Sequence, residues 1–357
     1  MSPVLSQSGP KGKARIFAPN AKPLAIAYRP GQPATITFAD GQAAVATCLR
    51  CNNTPCMALA PEETALAAFP DFPADRRDNV CASDAMKRDP QTGAPIIDAT
   101  RCMLCGVCAL RCPVGAIHLS PNQGAIVQDT PNALIIDSDA DPAATTLANA
   151  ALLKNVTRTG LLLLESQLVL GHLERRLPAA VRAGGDNFPN VLARNLLIAA
   201  GVGTAMRRKG GNFMRMDLVL GAPGVETGLV EVEFGDEAIL DAPRDVMDAV
   251  AVLVSRYAWK KQNIVAAIVG DILPNRRSEY WRIIQDIDRV LGIRIGTISL
   301  LSLLLHVWNR RPLQLTTQNA FYADSDTQSY RTAVIEANLG RPLTLPHTPH
   351  PLVEPAK

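Results

Sequence analysis

The sequence predicts a multidomain protein of mixed α+β and α/β class, in which a small cysteine-rich domain precedes a mixed β-sheet domain with flanking helices. The length of 357 residues exceeds the usual size of one domain. All eight cysteines lie between Cys48 and Cys112, so they define one specialised region. From residue 190 onward, helical and strand-like apolar patterns alternate, which indicates a second domain with a separate core.

Changes in composition divide the chain further. The stretch before the cysteines is rich in Pro, Gly, Ala and Lys, and leucines recur at helical spacing between 143 and 177. The predicted segments are a leader at 1–45, a cysteine domain at 46–142, a helical connection at 143–189, a second domain at 190–312 and a tail at 313–357.

The clearest motif lies at 101–113 and reads R-C-M-L-C-G-V-C-A-L-R-C-P. Its cysteines, Cys102, Cys105, Cys108 and Cys112, follow the spacing C-x2-C-x2-C-x3-C-P, which is typical of iron-sulfur ligation. Steps of three residues in a tight loop bring three thiolates to one concave face. The fourth cysteine lies a helical turn further on and points away, so the motif requires a second set of cysteines.

The second set is found upstream, where Cys48, Cys51 and Cys56 occur in C-L-R-C-N-N-T-P-C and Cys81 begins C-A-S-D-A-M. This last stretch aligns with C-P-V-G-A-I at Cys112. Residues 46–120 resemble the two-cluster bacterial-type ferredoxins, and this resemblance implies two [4Fe-4S] clusters with an exchanged ligand. The first site would contain Cys48, Cys51, Cys56 and Cys112, and the second site Cys81, Cys102, Cys105 and Cys108.

The first motif departs from the ferredoxin pattern. Four residues rather than two precede Cys56, 24 residues separate Cys56 from Cys81 where the family has three, and Ala82 replaces a proline. A zinc ion held by Cys48, Cys51, Cys56 and Cys81 is therefore an alternative, because tetrahedral zinc also binds four thiolates. A degraded first site is a further alternative.

The cysteine pattern and the lack of an apolar N-terminal signal stretch predict a reducing compartment, the cytoplasm. The longest apolar run, 298–308, is shorter than the roughly 20 residues that span a bilayer, so no membrane association is expected. A net charge of +3 does not by itself predict a polyanionic partner.

Acidic residues mark the second domain. Two predicted strands, 213–220 and 229–234, flank a turn rich in Gly and Pro and form a hairpin. Glu231 and Glu233 share one face of the second strand. Symmetric folding of the hairpin would place Asp217 opposite Val232, and a register shift of one residue would place it opposite a glutamate. Three converging carboxylates predict a site for Mg²⁺, a cation that prefers oxygen ligands.

The element order from 190 to 308 is helix, three strands, helix, strand, helix, strand. With the acidic hairpin at its centre, this region resembles the PD-(D/E)XK nucleases, which have a restriction-endonuclease-like fold. The resemblance implies metal ligation by Asp217 and Glu231, with Glu233 in the position of the usual lysine, and hydrolysis of nucleic-acid phosphodiester bonds. Basic residues at Arg207, Arg208, Lys209, Arg215, Arg276 and Arg277 are candidate phosphate contacts.

The sequence thus favours an iron-sulfur protein with a Mg²⁺-dependent nuclease domain and a role in restriction or genome defence. The expected partners are nucleic acid, with DNA favoured over RNA, and other defence or redox subunits. One alternative is a ferredoxin-type electron-transfer subunit in which the carboxylates are incidental. Another is an inactive nuclease fold that binds nucleic acid, which the missing lysine suggests.

Overall fold

The computed structural model describes residues 22–64, 69, 72, 74–129, 151–208, 215–221, 227–235, 238–313, 315 and 331–345. The chain forms two compact units. Unit 1 contains the described residues of Met1–Leu59, Asn79–Ala183 and Trp308–Arg310. Unit 2 contains those of Ala60–Asp78, Gly184–Val307 and Arg311–Lys357.

Unit 1 contains a four-stranded sheet with the order β3-β2-β1-β8. Its strands are β1 (Pro23–Arg29), β2 (Gln32–Phe38), β3 (Ala43–Val45) and β8 (Thr157–Gly160). The first three strands are antiparallel and β8 is parallel to β1. Every second residue of β2 is buried, which follows from the alternation of side chains along a strand.

The cysteine region of unit 1 is built from short elements. These are β4 (Met86–Arg88), β5 (Pro95–Ile97), α1 (Val107–Arg111), β6 (Ile117–Ser120) and β7 (Gly124–Val127). Strand β4 pairs with β5 and β6 pairs with β7, in two antiparallel hairpins. The longer helix α2 (Gln167–Gly184) follows β8.

Unit 2 is organised around a five-stranded sheet with the order β13-β12-β11-β10-β9. Its strands are β9 (Thr204–Met206), β10 (Leu218–Gly221), β11 (Thr227–Glu233), β12 (Ile264–Gly270) and β13 (Ile295–Ser299). Its helices are α3 (Phe188–Ala199), α4 (Ala238–Tyr257), α5 (Glu279–Leu291), α6 (Leu300–Asn309) and α7 (Arg331–Leu339). The last two residues of α6, Trp308 and Asn309, belong to unit 1.

The sheet of unit 2 is mixed. Strands β9, β10 and β11 are antiparallel, whereas β11, β12 and β13 are parallel. Strand β12, which lies between β13 and β11, reads I-V-A-A-I-V-G and is buried almost throughout, as expected for a parallel strand with both faces covered. One of these faces packs against α4 through a core that includes Val246, Ala249 and Leu253.

The segment between Cys56 and Cys81 explains the unusual cysteine spacing. Most of it, Ala60–Asp78, belongs to unit 2. Phe69 and Phe72 are buried in the core of unit 2, where the ring of Phe69 lies 4.5 Å from that of Tyr257. The Asp75 N–H donates to the Met206 carbonyl at 2.7 Å, which occupies part of the edge of β9. The extra residues therefore contribute a piece of the second core.

The element order predicted from residue 190 matches the structure, and β12 has the predicted bounds. The predicted strand at 293–304 differs, because β13 ends at Ser299 and α6 begins at Leu300. The Ser302 N–H donates to the Ser299 hydroxyl at 3.2 Å, a local bond of the kind that starts helices.

The two units also differ from the predicted segments. Residues 22–45, assigned to a leader, form β1, β2 and β3 in the main sheet of unit 1, where β1 also pairs with β8. Most of the predicted connection at 143–189 likewise belongs to unit 1. The reason is β-pairing over a long sequence distance, which local composition does not reveal. No helix in the described parts of the chain is long and apolar enough to cross a bilayer.

Replacing Phe69 with alanine should destabilise unit 2 by about 3–5 kcal/mol, because a buried aromatic ring is lost and a cavity remains. The unfolding of unit 2 can be followed in urea by tryptophan fluorescence, since Trp259 lies 5.4 Å from the Phe69 ring. Val290→Ala is the matched control, because Val290 is 75% exposed. Equal midpoints for the two variants would contradict the placement of Phe69 in the core.

Candidate iron-sulfur and carboxylate sites

The four cysteines of the first site line one recess that is partly open to solvent. Cys48, Cys56 and Cys112 are buried, and Cys51 is half-buried. Cys112 follows α1, yet it lies with the three upstream cysteines. The structure thus brings together the four residues that the resemblance grouped as the first site.

Electrostatic coupling shows the same grouping for both sites. Burial and then the charge of Cys112 raise the pKa of Cys51 to about 12, and the same two causes raise the pKa of Cys56. Burial and then the charge of Cys81 raise the pKa of Cys105 to about 12. Because such coupling requires short distances, Cys112 lies near the first set and Cys81 near the second. These thiols must lose their protons to bind a metal.

The two motifs share a local geometry despite their different sequences. The Ala85 N–H donates to the Cys81 sulfur at 3.2 Å, and the Ala116 N–H donates to the Cys112 sulfur at the same distance. The residue before each donor, Asp84 or Gly115, has a left-handed backbone, with φ of 49° and 76°. Strands β4 and β6 each begin one residue after the donor. The aligned stretches C-A-S-D-A-M and C-P-V-G-A-I therefore fold alike.

The beginnings of the two motifs also correspond. Arg50 and Leu104, each two residues after a cysteine, have φ of 51° and 62°. This conformation directs the Arg50 N–H toward the Cys48 sulfur, which accepts it at 3.3 Å. The Ala125 N–H donates to the Cys102 sulfur at 3.2 Å. Hydrogen bonds to thiolate sulfurs stabilise negative charge and are one means of setting a cluster potential.

Three side chains that the sequence did not single out hold the cysteine loops in place. Arg111 Nε donates to the Pro55 carbonyl at 2.7 Å, which secures the loop that carries Cys56. The His172 ring Nε2 lies 2.8 Å from the Cys102 carbonyl oxygen. Trp308 is fully buried and donates from Nε1 to the Leu104 carbonyl at 2.9 Å. No local sequence signal connects His172 or Trp308 with the cysteines.

A zinc site and an iron-sulfur site require different distances between the cysteine sulfurs. A tetrahedral zinc ion holds its thiolates about 3.8 Å apart, because each Zn–S bond is ~2.3 Å long. Among the described residues, no three His, Cys, Asp or Glu side chains are grouped so as to hold a single metal ion. An iron-sulfur cubane needs a wider donor spacing than zinc does, because each thiolate binds a different iron of a cluster that is several atoms across.

The carboxylates of unit 2 meet at one end of the β10–β11 pair. Leu218 pairs with Val230, so the next position places Asp217 opposite Glu231. The register thus has the one-residue shift from symmetric folding that brings the acids together. Asp217 accepts hydrogen bonds from Asn190 Nδ2 at 2.9 Å and from the Val232 N–H at 3.1 Å. Glu231 is only 3% exposed, and its buried Oε1 has no hydrogen-bond partner among the described residues.

This environment disfavours charge on the glutamates. Burial raises the pKa of Glu231 well above its ordinary value, and the charges of Asp217 and Asp245 add to the shift. Burial, again with Asp217 and Asp245, raises the pKa of Glu233 to about 7. Burial also raises the pKa of Asp217, although its two hydrogen bonds oppose the change. A bound cation would relieve this repulsion, but the side chains would have to turn to ligate it jointly.

The predicted phosphate contacts have varied surroundings. The Arg207 N–H donates to the Asp217 carbonyl at 3.0 Å, and its side chain is half-buried. Arg208 and Arg277 are exposed, and Arg276 is half-buried. Arg215 forms an ion pair with Asp248 at 2.7 Å. Lys209 lies outside the described residues. Of these basic residues, Arg207 therefore contacts Asp217, through a backbone hydrogen bond.

Comparison with known proteins identifies the cysteine region. Residues 95–118 match the family model of the 4Fe-4S binding domain. An uncharacterized ferredoxin of Methanocaldococcus jannaschii is 32% identical over 72 residues, or 20% of this chain and 32% of the ferredoxin. The polyferredoxin-like subunit of an aliphatic sulfonate oxidoreductase from Pyrococcus furiosus is 26% identical over 81 residues, or 23% of this chain and 35% of the subunit.

The chain therefore contains a ferredoxin-type domain of the 4Fe-4S class, within a mixed α/β structure. The chain spans about a third of the length of these curated relatives. No solved structure matches the chain. The comparisons support the iron-sulfur prediction and do not support the nuclease-like interpretation of residues 190–312. They favour the alternative of an electron-transfer subunit.

Replacing Glu231 with glutamine should stabilise unit 2 at pH 8 by about 1–2 kcal/mol, because it removes a buried carboxylate whose ionisation is disfavoured. As pH rises, the unfolded chain releases the Glu231 proton before the folded chain does. The wild-type free energy of unfolding should therefore be greatest at acidic pH and fall as pH rises above the ordinary glutamate pKa.

The measurement is urea denaturation between pH 5 and pH 8 without divalent cations. Glu279→Gln is the control, because Glu279 is exposed in the first turn of α5. A Glu231→Gln variant that is less stable than wild type at pH 8 would show that the carboxylate is satisfied in the folded state.

Proposed function

We propose that this chain is a two-cluster ferredoxin-type electron-transfer protein that acts with redox partner subunits. The observation that carries the proposal is the exchanged grouping of the cysteines, with Cys112 at the first site and Cys81 at the second. A [4Fe-4S] cluster held by four thiolates supplies one-electron transfer.

The residues around both sites fit such a group. Each site provides four thiols, and backbone N–H groups donate to the sulfurs of Cys48, Cys81, Cys102 and Cys112. Such donors stabilise the charge of a reduced cluster without adding a proton. The two sites alternate along the chain, so a single folded domain holds both. This is the arrangement expected of a protein that passes electrons between two centres.

The relatives supply the partner part of the proposal. One of them is the polyferredoxin-like subunit of an oxidoreductase, which by its description works within a larger enzyme. We infer that the present chain also delivers electrons to, or takes them from, a separate catalytic subunit. The recess at the first site is partly open to solvent, which suits exchange of electrons with a docked protein.

The anaerobically prepared protein should contain about eight iron and eight sulfide ions per chain, as expected for two [4Fe-4S] clusters. Cys56→Ser should lose the first cluster and Cys108→Ser the second, each leaving about four iron ions. Asn53→Ala is the control, because Asn53 is exposed and lies three residues before the buried Cys56. This variant should retain both clusters.

Metal analysis by mass spectrometry and the visible absorbance before and after dithionite measure these outcomes. Reoxidation of the reduced protein by a one-electron acceptor should recover about two electrons per chain. Zinc in place of iron at the first site, lost selectively in Cys56→Ser, would contradict the two-cluster proposal. Iron that dithionite cannot reduce would contradict the electron-transfer role.

A second candidate function concerns unit 2, where one observation favours a hydrolytic metal site. Asp217 lies opposite the buried Glu231, and the Glu231 Oε1 has no partner among the described residues. If Mg²⁺ binds there, Asp217 and Glu231 would hold it, and the metal would activate water for phosphodiester hydrolysis. Glu233, with a pKa of about 7, has a proton affinity suited to a general base.

On this second proposal, Mg²⁺ should support cleavage of DNA by the wild-type protein. Glu231→Gln should reduce the cleavage rate by more than about 100-fold, because it removes a direct metal ligand. Loss of a residue that only supports a ligand typically costs about 10–100-fold. Asp248→Asn is the control, because Asp248 is an exposed acid paired with Arg215.

The assay uses single- and double-stranded DNA and RNA, with gel analysis and iron content measured on every sample. Cleavage that is equal in Glu231→Gln and wild type would come from a contaminant or another site. Absence of cleavage by wild type with Mg²⁺ or Mn²⁺ would leave electron transfer as the function.

A further inference from the structure

Two arginines of unit 1 lie beside the first site without an acidic partner among the described residues. Arg158, on β8, donates to the carbonyls of Pro113 at 3.1 Å, Val156 at 3.1 Å and Leu153 at 3.3 Å. Arg310 stacks its guanidinium over the Tyr28 ring, 4.5 Å from the centroid. All of these acceptors are neutral. Within the described part of the chain, no carboxylate forms an ion pair with either arginine.

The two guanidinium groups are also close to each other. Burial lowers the pKa of Arg310, Tyr28 opposes this change, and the like charge of Arg158 adds to it. The Arg310 Nε is buried and has no hydrogen-bond partner among the residues described. Two half-buried positive charges that face each other repel, so they are unfavourable unless an anion lies within reach.

The same groups adjoin the loop that carries Cys112. Arg158 bonds the carbonyl of Pro113, the residue directly after this cysteine. Tyr28 packs on the following turn, where a Cβ on Gly115 would lie 3.0 Å from the tyrosine ring. Burial raises the pKa of Tyr28, the charge of Cys112 raises it further, and both arginines lower it. Cys112 and both arginines therefore act on the same tyrosine, which places the arginine pair beside the first site.

The second site has different charges. Arg101 faces Asp84 at 3.9 Å, so that positive charge has an acidic neighbour. Arg176 donates to the Thr100 carbonyl, and its charge lowers the pKa of Cys102 against the larger effect of burial. At the first site, the other nearby arginine, Arg50, is neutralised by Asp129 at 3.2 Å. Among the described residues, two arginines without an acidic partner, Arg158 and Arg310, thus lie beside the first site, and one, Arg176, lies beside the second.

We propose that Arg158 and Arg310 act as a positioning pair that stabilises added negative charge at the first site and so makes it the electron-accepting end of the protein. The inference rests on the proposed electron-transfer function. Nearby positive charge raises the potential of a centre that becomes more negative on reduction. With a cluster at each site, one electron would leave the second site, which would be oxidised, and would arrive at the first site, which would be reduced. A one-electron donor protein refills the second site, and a one-electron acceptor protein empties the first.

The test is a potentiometric titration of the anaerobic holoprotein, monitored by electron paramagnetic resonance. Cys51→Ser and Cys105→Ser, each altering one site, assign the two signals. In wild type the first site should have the higher potential. Arg158→Gln and Arg310→Gln should each shift the first potential to a more negative value, with a larger shift in the double variant and an unchanged second potential.

Arg29→Gln is the matched control, because Arg29 is an exposed arginine on the same strand as Tyr28. It should leave both potentials unchanged. Arg158→Lys keeps the charge and should recover most of the shift, whereas a purely structural role for the guanidinium would not permit this recovery. Circular dichroism and iron content of each variant identify those that have lost their fold or a cluster.

The inference is overturned if the double variant leaves the first potential unchanged, or if the second potential moves instead. An iron content that shows no cluster at the first site would contradict the proposed function itself, which distinguishes the two failures.

Discussion

The exchange of the fourth cysteine between two motifs is the constraint on which unit 1 depends. Cys112 lies in the recess with Cys48, Cys51 and Cys56, and the charge of Cys81 acts on Cys102, Cys105 and Cys108. Each site therefore takes residues from both halves of the cysteine region, and neither half contains a complete site. The short hairpins and the five-residue α1 bury little apolar surface by themselves. Their arrangement relies on the sulfurs, on Arg111 and on the packing of Trp308 against the second motif.

The two units impose different chemistry on their polar residues. In unit 1, the cysteine sulfurs lie close together and accept hydrogen bonds from backbone N–H groups. This environment suits a group that gains and loses negative charge. In unit 2, acids are gathered in a place where burial opposes their ionisation. Natural proteins keep such unfavourable groups mainly where they serve a function, because stability alone would select against them. The carboxylates of unit 2 fit this description, because the Glu231 Oε1 is buried and has no hydrogen-bond partner among the described residues.

The sequence predicted those features that local spacing encodes. The cysteine motif and its upstream counterpart were evident from spacing, and β12 was evident from a continuous apolar run. The alignment of Cys81 with Cys112 was also available from the sequence, because the stretches C-A-S-D-A-M and C-P-V-G-A-I share the cysteine and an alanine four residues later. Prediction was poorer where the decisive contact is distant. Trp308 supports a loop 204 residues away, and β8 joins a sheet whose other strands begin near residue 23.

Local chemistry also misled the prediction in one place. The apolar run from 293 to 304 suits a long buried strand, yet a serine hydroxyl ends β13 and starts α6 within it. Runs of this kind do not by themselves distinguish a buried strand from a buried helix. The register of the acidic hairpin was open for a related reason, because the turn between its strands is long. One residue of register decides whether Asp217 faces a valine or a glutamate.

The segment between Cys56 and Cys81 affects whether the protein can be cut into fragments that fold separately. Phe69 and Phe72 belong to the core of unit 2, although they lie between two cysteines of unit 1. A fragment that ended before residue 190 would keep both aromatic rings and lose the surface that covers them. Such a fragment would expose an apolar patch and tend to aggregate. Gene fusions or fissions in evolution would meet the same obstacle, so the two units are expected to be inherited together.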